Sequence, residues 1–337
     1  GETRELILNA LGYNDASIDD VNELNRKFNR ELGSLDSKVS VKFANSVWAK
    51  PYITFINSFT SSLSDNYNAE VRKINDDTFV NDINKWCSSK TNGKITGLLP
   101  DGSTAPSFAL YNATYFKGIW SQEFKFDKRQ TIDDYFNDVQ GSRSVTKFMK
   151  KDVTGHVLSP IYGQTETLQK CELSFGNGSF GAAFILPAEG ITIHQAIENL
   201  ANGDWEKLNK PYPPILEICN DITIHLTLPK FKIESEINFN KYMHALDMGD
   251  VLADNADYSN MTEAKIPVND VKQKATFEID EEGAVAAAVT GSGLDWASDP
   301  EEYKYITMTF DRPFIYVVYE HSTGAILFAG CVNSFAN

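Results

Sequence analysis

The sequence has little of what most enzymes and metalloproteins need. It contains neither a G-x-S-x-G nucleophile elbow nor a P-loop, and no Cys/His cluster has zinc spacing. No H-x-x-x-H or H-E-x-x-H arrangement is formed by its five histidines, His156, His194, His225, His244 and His321. The adjacent acids Glu281-Glu282 and Glu301-Glu302 could act as an acid pair, but in a loop we predict them to be solvated. We therefore expect no catalytic residue, no metal and no cofactor.

Basic charge, cysteine and long apolar runs are scarce as well. The net charge of −15 argues against nucleic acids, heparin-like polyanions and anionic membranes as partners. The basic residues Arg26, Lys27 and Arg30 sit among acids, so no heparin site is predicted. No apolar run approaches about 18 residues, so we predict no membrane-spanning helix. Neither a disulfide framework nor a zinc motif fits the four cysteines, which we predict to be separate core thiols: Cys87, Cys171, Cys219 and Cys331.

One stretch, residues 273–314, departs from the ordinary composition of a loop. It opens with a strand-like alternation and continues through Glu281-Glu282-Gly283 into a run of small residues, 284–290, without charge or proline. Every residue from Ala284 to Asp295 keeps its N–H, so this run can join a sheet as an added strand. By composition alone, a small-residue helix or an ordinary alanine-rich strand fits equally well.

Periodicity of the apolar residues predicts a mixed set of elements in the rest of the chain. Helices are predicted over residues 2–11, 19–35, 53–67, 79–89, 193–201 and 239–246. Strands are predicted over residues 39–48, 69–74, 107–116, 145–151, 167–175, 180–186, 222–229 and 231–234. With 42% hydrophobic residues, the 337-residue chain can bury a substantial core.

Several motifs resemble those of the serpin family. Residues 112–120, N-A-T-Y-F-K-G-I-W, match the serpin pattern N-A-x-Y-F-K-G-x-W at seven positions in nine. Further matches, in serpin order, are Thr91-Asn92-Gly93-Lys94-Ile95, Pro187-Ala188-Glu189-Gly190, Leu228-Pro229-Lys230-Phe231, Glu281-Glu282-Gly283 and Asp311-Arg312-Pro313-Phe314. The resemblance covers residues 1 to 337. It implies an α+β serpin fold, with one large mixed β-sheet, two smaller sheets and surrounding helices.

The resemblance also implies how the chain is organised. With no internal repeat and no linker, we expect a single serpin domain over 1–337, whose reactive-centre loop spans about 282–304. Gly1-Glu2-Thr3 resembles the start of the third serpin helix, so the family's first two helices and the strand between them are missing here. No signal-peptide pattern is present at the start of the sequence, so we expect any signal region to precede Gly1. We expect a monomer that is extracellular or at the cell surface.

An inhibitory serpin traps a protease after the protease cleaves the reactive-centre loop, because the freed loop inserts into the large sheet. The resemblance assigns the hinge of this loop to Glu281, Gly283, Ala284, Val285, Ala286, Ala287 and Ala288. Period two puts Ala284, Ala286, Ala288 and Thr290 on one face of the inserted strand, and the resemblance implies that this face points toward the core. Charges, prolines and bulky residues, which non-inhibitory serpins tend to carry in the hinge, are absent from this run.

Two further regions control insertion in the family. At the breach, where insertion begins, Trp120 and Thr131 match the family, although Trp120 is also a plausible core aromatic. At the shutter, where the strands part, the family pairs the equivalent of Asn112 with a histidine. Gln273 stands at that position here, and an amide can bridge strands but cannot act as a pH-sensitive contact.

The family places the cleaved bond about seventeen residues from the hinge glutamate. Counting from Glu281 gives the bond Ala297–Ser298, with Trp296 as the nearest alternative and Lys304 as a remote one. An alanine at this position suits elastase-like or subtilisin-like serine proteases, and Trp296 would suit a chymotrypsin-like one. The competing function, from a binding class, is a non-inhibitory serpin that acts as a carrier or chaperone.

Overall fold

The computed structural model describes residues 2–156, 161–210, 221–284 and 303–335. The α-helices in these ranges are α1 (Glu2–Ala10), α2 (Ile18–Leu32), α3 (Asn57–Tyr67), α4 (Phe79–Lys90), α5 (Ile193–Asn199) and α6 (Trp205–Leu208). The strands are β1 (Val39–Ala49), β2 (Ala69–Lys73), β3 (Phe108–Ile119), β4 (Ile132–Asn137), β5 (Arg143–His156), β6 (Tyr162–Gln164), β7 (Leu168–Phe175), β8 (Phe180–Pro187), β9 (Asp221–Pro229), β10 (Phe231–Asn238), β11 (Asp270–Ile279), β12 (Gly283–Ala284), β13 (Tyr303–Thr309), β14 (Phe314–Glu320) and β15 (Ile326–Val332).

The predicted helix over residues 239–246 is wrong. The segment instead forms two short 3₁₀ turns, Phe239–Lys241 and His244–Leu246. Asn240 is the physical reason, because its side chain binds the backbone of the segment that leads into β11: its amide group donates to the Asn269 carbonyl at 2.6 Å, and its carbonyl accepts from Val271 N at 2.8 Å. In addition, the Asn238 side chain accepts from Asn240 N at 3.1 Å, and such local side-chain bonds compete with a regular helix.

The described chain forms two compact units. Unit 1 comprises Gly1–Leu35, Ser40–Phe116 and Ile233–Phe277, and unit 2 comprises Asp36–Val39, Lys117–Lys232 and Glu278–Asn337. The single domain expected over 1–337 stays a prediction.

Unit 1 contains most of the large sheet, whose strand order is β10-β11-β3-β1-β2. β11 and β3 are parallel neighbours, and β1 and β2 are also parallel. Parallel strands need covering on both faces, and β3 alternates between two apolar clusters. One face of β3 packs Ala109, Tyr111 and Ala113 against α4, and the other puts Phe108 into a cluster with Phe55. The near-continuous apolar run predicted this double burial.

Unit 2 contains two smaller sheets. Their strand orders are β13-β9-β5-β4 and β15-β14-β8-β7-β6. Every residue of β8 and β14 is buried, as expected for strands at the centre of a sheet. β7 and β8 join through a tight turn, where Gly176 and Gly178 have positive φ of 52° and 90°. Together with the large sheet, these sheets give the predicted α+β architecture.

Unit 2 also buries an ion cluster, here named the Glu172 cluster and formed by Lys170, Glu172, Tyr319 and His321. Lys170 Nζ donates to Glu172 Oε2 at 2.9 Å, and the Tyr319 hydroxyl donates to the same oxygen. His321 Nε2 lies 2.9 Å from Glu172 Oε1. Lys170 is 0% exposed, so its charge is stabilised by these partners rather than by water.

His321 is charged in this arrangement. Its Nε2 faces the Glu172 carboxylate, and its Nδ1 lies 2.5 Å from the Gly178 carbonyl. Two acceptors require two N–H donors, which only the imidazolium supplies. Burial lowers the pKa of His321, but the hydrogen bonds to Glu172 and Gly178 and the nearby Glu320 carboxylate raise it more, so the net pKa lies above 6.5.

The cysteines are free thiols where the structure describes them. Cys87 and Cys171 are fully buried, and burial raises their pKa to about 11 and about 12. Cys331 is half-buried, and burial raises its pKa as well. Cys219 lies outside the described residues. The prediction of core thiols therefore holds for Cys87 and Cys171, while Cys331 is less buried than expected.

Candidate functional site

The hinge glycine lies in a tight turn that follows β11. Asp280 and Gly283 form a β-bridge, with Asp280 N donating to Gly283 O at 2.9 Å and Gly283 N donating to Asp280 O at 3.2 Å. Gly283 has φ of 129°, and a Cβ there would lie 2.4 Å from the Gly118 carbonyl oxygen. Both the backbone conformation and the close approach require glycine at this position.

After this turn the chain begins to pair with β3. β12 is antiparallel to β3, with Gly283 opposite Ile119 and Ala284 opposite Gly118. Trp120 N donates to the Glu282 carbonyl at 2.8 Å, which extends the pairing by one bond. The first two residues of the predicted insert are therefore already hydrogen-bonded to the strand beside which the remainder would lie.

Trp120 lies at the end of β3 and fixes this region. Its side chain is 1% exposed and stacks on Phe175, with ring centroids 4.3 Å apart and an interplanar angle of 6°. Its indole N–H donates to the Asp280 carbonyl at 3.0 Å. Trp120 is thus a buried core aromatic that also contacts the turn before β12, while its role at the breach stays a prediction.

Glu281 is held by two groups that approach from different parts of unit 2. Lys230 Nζ donates to Oε2 at 2.7 Å, and Thr131 Oγ1 donates to Oε1 at 2.8 Å. Burial raises the pKa of Glu281, but the hydrogen bonds from Lys230 and Thr131 lower it more, so the net pKa lies below its ordinary value. Glu281 is therefore ionised near neutral pH, and it ties the hinge to two other segments.

Glu282 forms ion pairs with two further lysines, Lys125 and Lys128. Its Oε2 lies 3.4 Å from Lys125 Nζ, and its Oε1 lies 3.6 Å from Lys128 Nζ. The two acids are 4% and 8% exposed, so the prediction that Glu281-Glu282 would be solvated is wrong. The physical reason is charge pairing: three lysines supply the compensation that burial of two carboxylates requires.

The predicted shutter residues lie in unit 1. Gln273 of β11 is directly opposite Asn112 of β3 in the parallel register. Thr114 links them, because its hydroxyl donates to Asn112 Oδ1 at 2.7 Å and accepts from Gln273 Nε2 at 3.4 Å. Asn112 Nδ2 also donates to Asn45 Oδ1 at 2.8 Å. This chain of neutral side chains crosses three strands of the large sheet.

Other predicted residues fall outside the described residues. These are the hinge residues Val285, Ala286, Ala287 and Ala288, and the predicted reactive bond Ala297–Ser298 with its alternative Trp296. Conversely, sequence reasoning assigned no role at this site to Lys125, Lys128, Lys230, Thr114 or Asn45. The sequence could have pointed to Lys230, because this residue lies within the matched motif Leu228-Pro229-Lys230-Phe231.

The hinge region is held by backbone hydrogen bonds to β3 and by ion pairs between its two glutamates and three lysines. Both Glu281 oxygens accept side-chain hydrogen bonds, the Asp280 carboxylate accepts from the backbone N–H groups of Glu282 and Gly283, and Glu282 makes ion pairs although its buried Oε2 has no hydrogen bond. Within residues 2–156, 161–210, 221–284 and 303–335, no cluster of three or more His, Cys, Asp or Glu side chains is placed to hold a metal ion. In the same ranges no helix is both long enough and apolar enough to cross a membrane.

Comparison with known sequences identifies the family. The protein-family model described as "Serpin (serine protease inhibitor)" matches residues 1–335. Iripin-3 of Ixodes ricinus is 29% identical over 346 residues, covering 99% of this chain and 83% of the relative. Serpin B11 of Mus musculus is 27% identical over 332 residues, covering 96% of this chain and 82% of the relative. The chain belongs to the serpin family.

Solved structures agree with this result. The thermophilic serpin tengpin in its native state has a TM-score of 0.85 at 28% identity, covering 99% of this chain and 83% of that chain. Arabidopsis AtSerpin1 in a native stressed conformation has a TM-score of 0.81 at 24% identity, covering 99% and 86%. Human thyroxine-binding globulin complexed with its ligand has a TM-score of 0.84 at 21% identity, covering 99% and 86%. The last two show the fold alone.

Proposed function

We propose that the protein is an inhibitory serpin that traps serine proteases by inserting its cleaved reactive-centre loop between β3 and β11. One observation carries the proposal. β11 pairs directly with β3 from Asp270 to Thr276, while β12 is already antiparallel to β3 just beyond that pairing. These two pairings support the proposal: an added strand would enter at β12 and would replace the pairing of β11 with β3.

The register of β12 predicts the length of the insert. Continued from the pair Gly283–Ile119, antiparallel pairing would end with Leu294 opposite Phe108, the first residue of β3. The twelve residues 283–294 thus match the twelve residues of β3. Glycine, alanine, valine, serine, threonine and one leucine make up this segment, so it carries no charge.

The same register assigns the faces of the insert. Ala284, Ala286 and Ala288 would lie on the side of Phe116 and Thr114, which are 1% and 2% exposed. Val285, Ala287 and Val289 would lie on the opposite side. Val285 would pair with the half-buried Lys117, beyond the stretch Ala109 to Ala113 against which α4 packs. Small side chains are therefore required on the first face, because little room remains beside buried neighbours.

Insertion is favoured by hydrogen bonds and burial. Each new ladder bond contributes about 0.5–1.5 kcal/mol net, and buried apolar surface contributes about 25 cal/mol per Å². Over a dozen residues the sum exceeds ~10 kcal/mol, enough to outweigh the solvation of an exposed loop. This excess is the energy that would distort a tethered protease before the acyl-enzyme hydrolyses.

We propose Ala297–Ser298 as the reactive bond and elastase-like or subtilisin-like proteases as the targets. Trp296 with a chymotrypsin-like protease is the alternative. The bond would follow the insert by three residues, which leaves a short tether between the sheet and the protease. Mass spectrometry of the C-terminal peptide released by elastase should show a fragment that begins at Ser298. A fragment that begins at Tyr303 or Tyr305 contradicts this position.

The decisive experiment is an SDS gel after incubation with elastase-, subtilisin-, chymotrypsin- and trypsin-like proteases. A complex that survives SDS supports the trap. Simple cleavage by every member of the panel refutes it and favours the carrier or chaperone function, in which the protein would bind without inhibiting. Under the proposed mechanism the protein is no enzyme, acts as a monomer and meets its targets outside the cell or at its surface.

A further inference from the structure

Three strands of unit 2 present an ordered group of exposed side chains. Tyr305 of β13, His225 of β9 and Asp152 of β5 lie in a row across the sheet, and this row is called the Tyr305 row below. The His225 and Tyr305 rings stack with centroids 5.3 Å apart and an interplanar angle of 3°. His225 Nδ1 lies 2.7 Å from Asp152 Oδ1.

The row is exposed although it is well ordered. Tyr305 is 63% exposed, and the His225 and Asp152 side chains are 44% and 67% exposed. A tyrosine in a core or a buried pair would lose most of this surface. Because a stacked aromatic ring has few conformations left to lose, it can bind a partner at a low cost in entropy.

The position of the row along the chain identifies its partner. Tyr305 follows Ser298 by seven residues, which span at most about 25 Å when fully extended. A globular protease of about 200 residues is roughly 40 Å across. Tyr305 therefore lies within one protease diameter of the proposed reactive bond.

We propose that the Tyr305 row is a docking surface for the protease that cleaves the loop, contacting the protease beside its active-site cleft. This inference rests on the proposed function for the identity of the partner. Tyrosine is among the residues that dominate binding energy at interfaces. The row then accelerates the first encounter and leaves the later insertion of the loop unchanged.

A purely structural explanation makes a different prediction. β13 stands at the end of the strand order of its sheet. On the structural explanation, the only role of the stacked rings is to hold β13 against β9. In that case loss of the ring lowers thermal stability and leaves the reaction with the protease unchanged. Docking requires the opposite pattern.

The test compares Tyr305→Ala and His225→Ala with Tyr135→Ala as the matched control. Tyr135 is 47% exposed on β4, at the other end of the same strand order, and its ring lies under Arg143. The readout is the second-order rate at which each protease of the panel consumes the intact chain, by cleavage and by complex formation together. Melting temperature and the stoichiometry of inhibition are measured in parallel.

We expect Tyr305→Ala to lower this rate about tenfold, equivalent to about 1.4 kcal/mol, with a smaller effect in His225→Ala. Tyr135→Ala should stay within about twofold of the wild type. A wild-type rate in Tyr305→Ala overturns the docking surface even if SDS-stable complexes form. If the proteases only cleave the wild type without forming a complex, and cleave Tyr305→Ala more slowly than the wild type, the trap fails while the docking surface stands. A wild type that no protease in the panel cleaves overturns both.

Discussion

The ion pair between Glu281 and Lys230 should hold the hinge in its turn. We predict that Glu281→Gln loosens this turn and destabilises the intact protein. Glutamine keeps the volume of the side chain and an oxygen for the Thr131 hydroxyl, but it removes the negative charge. The substitution thus isolates the charge-assisted bond to Lys230, whose length is 2.7 Å.

The magnitude follows from how differently the two partners are exposed. Glu281 has a side-chain exposure of 5%, so its charge relies on its protein partners, whereas Lys230 is 33% exposed and can return to water. A hydrogen bond to a charged group contributes about 1.5–3 kcal/mol, and access of one partner to water reduces this. We expect a coupling free energy of about 1–2 kcal/mol between the two residues.

The assay is a double-mutant cycle of Glu281→Gln and Lys230→Gln, with the free energy of the first urea-unfolding transition as the measured quantity. The matched control is the exposed pair Lys147–Asp133, at 3.0 Å with side chains 62% and 64% exposed, which should couple by about 0–0.5 kcal/mol. A coupling for Glu281–Lys230 no larger than that of the control would refute the reasoning. Glu281→Gln should also lose trapping activity faster than the wild type on prolonged incubation.

Three other predictions concern the hinge and the Glu172 cluster. Ala284→Arg should convert the protein from an inhibitor to a substrate on an SDS gel, because an unpaired charge in the core is very costly, while Val285→Arg on the other face should still trap. Gly283→Ala should lower the free energy of unfolding by about 1–3 kcal/mol, and more than Gly102→Ala, which shares a positive φ but has no atom within 4 Å of the added Cβ. Since the pKa of His321 is raised on folding, its contribution is complete below pH 6.5 and is lost as pH rises through the folded value. Thermal stability of the wild type should therefore fall over that range more than that of His321→Gln, and equal pH profiles would contradict an imidazolium.

Most of the strands could be predicted from the sequence, because the spacing of apolar residues shows which faces of a strand are buried. The run from Phe108 to Phe116 reads as apolar on both faces, and β3 is indeed covered on both faces. Trp120 could be placed near the hinge because its motif has fixed spacing along one strand. Gly176 and Gly178 lie where the chain reverses between β7 and β8, as glycines with a positive φ commonly do.

Charge compensation could not be predicted in the same way. Glu281 and Glu282 are buried because Lys230, Lys125 and Lys128 reach them, and these lysines lie about 50 to 155 residues away in the chain. Nothing in the local sequence distinguishes such paired acids from solvated ones. A helix-like pattern such as that of residues 239–246 fails for a related reason, because its polar side chains bond to a distant strand.

Two separate requirements meet at the start of the insert, and this explains its composition. The turn before β12 needs a glycine, because Gly283 has a positive φ and its Cα approaches the backbone of β3. The first part of the strand after it, residues 284–290, needs small residues but not glycine, since glycine would increase the entropy lost on insertion. A run of alanine from 286 to 288 meets the second requirement, and the buried Glu281–Lys230 pair keeps the turn in place until cleavage. Within this scheme, stability of the intact state depends on charge pairs at the turn, whereas the driving force of insertion depends on the uncharged residues that follow it.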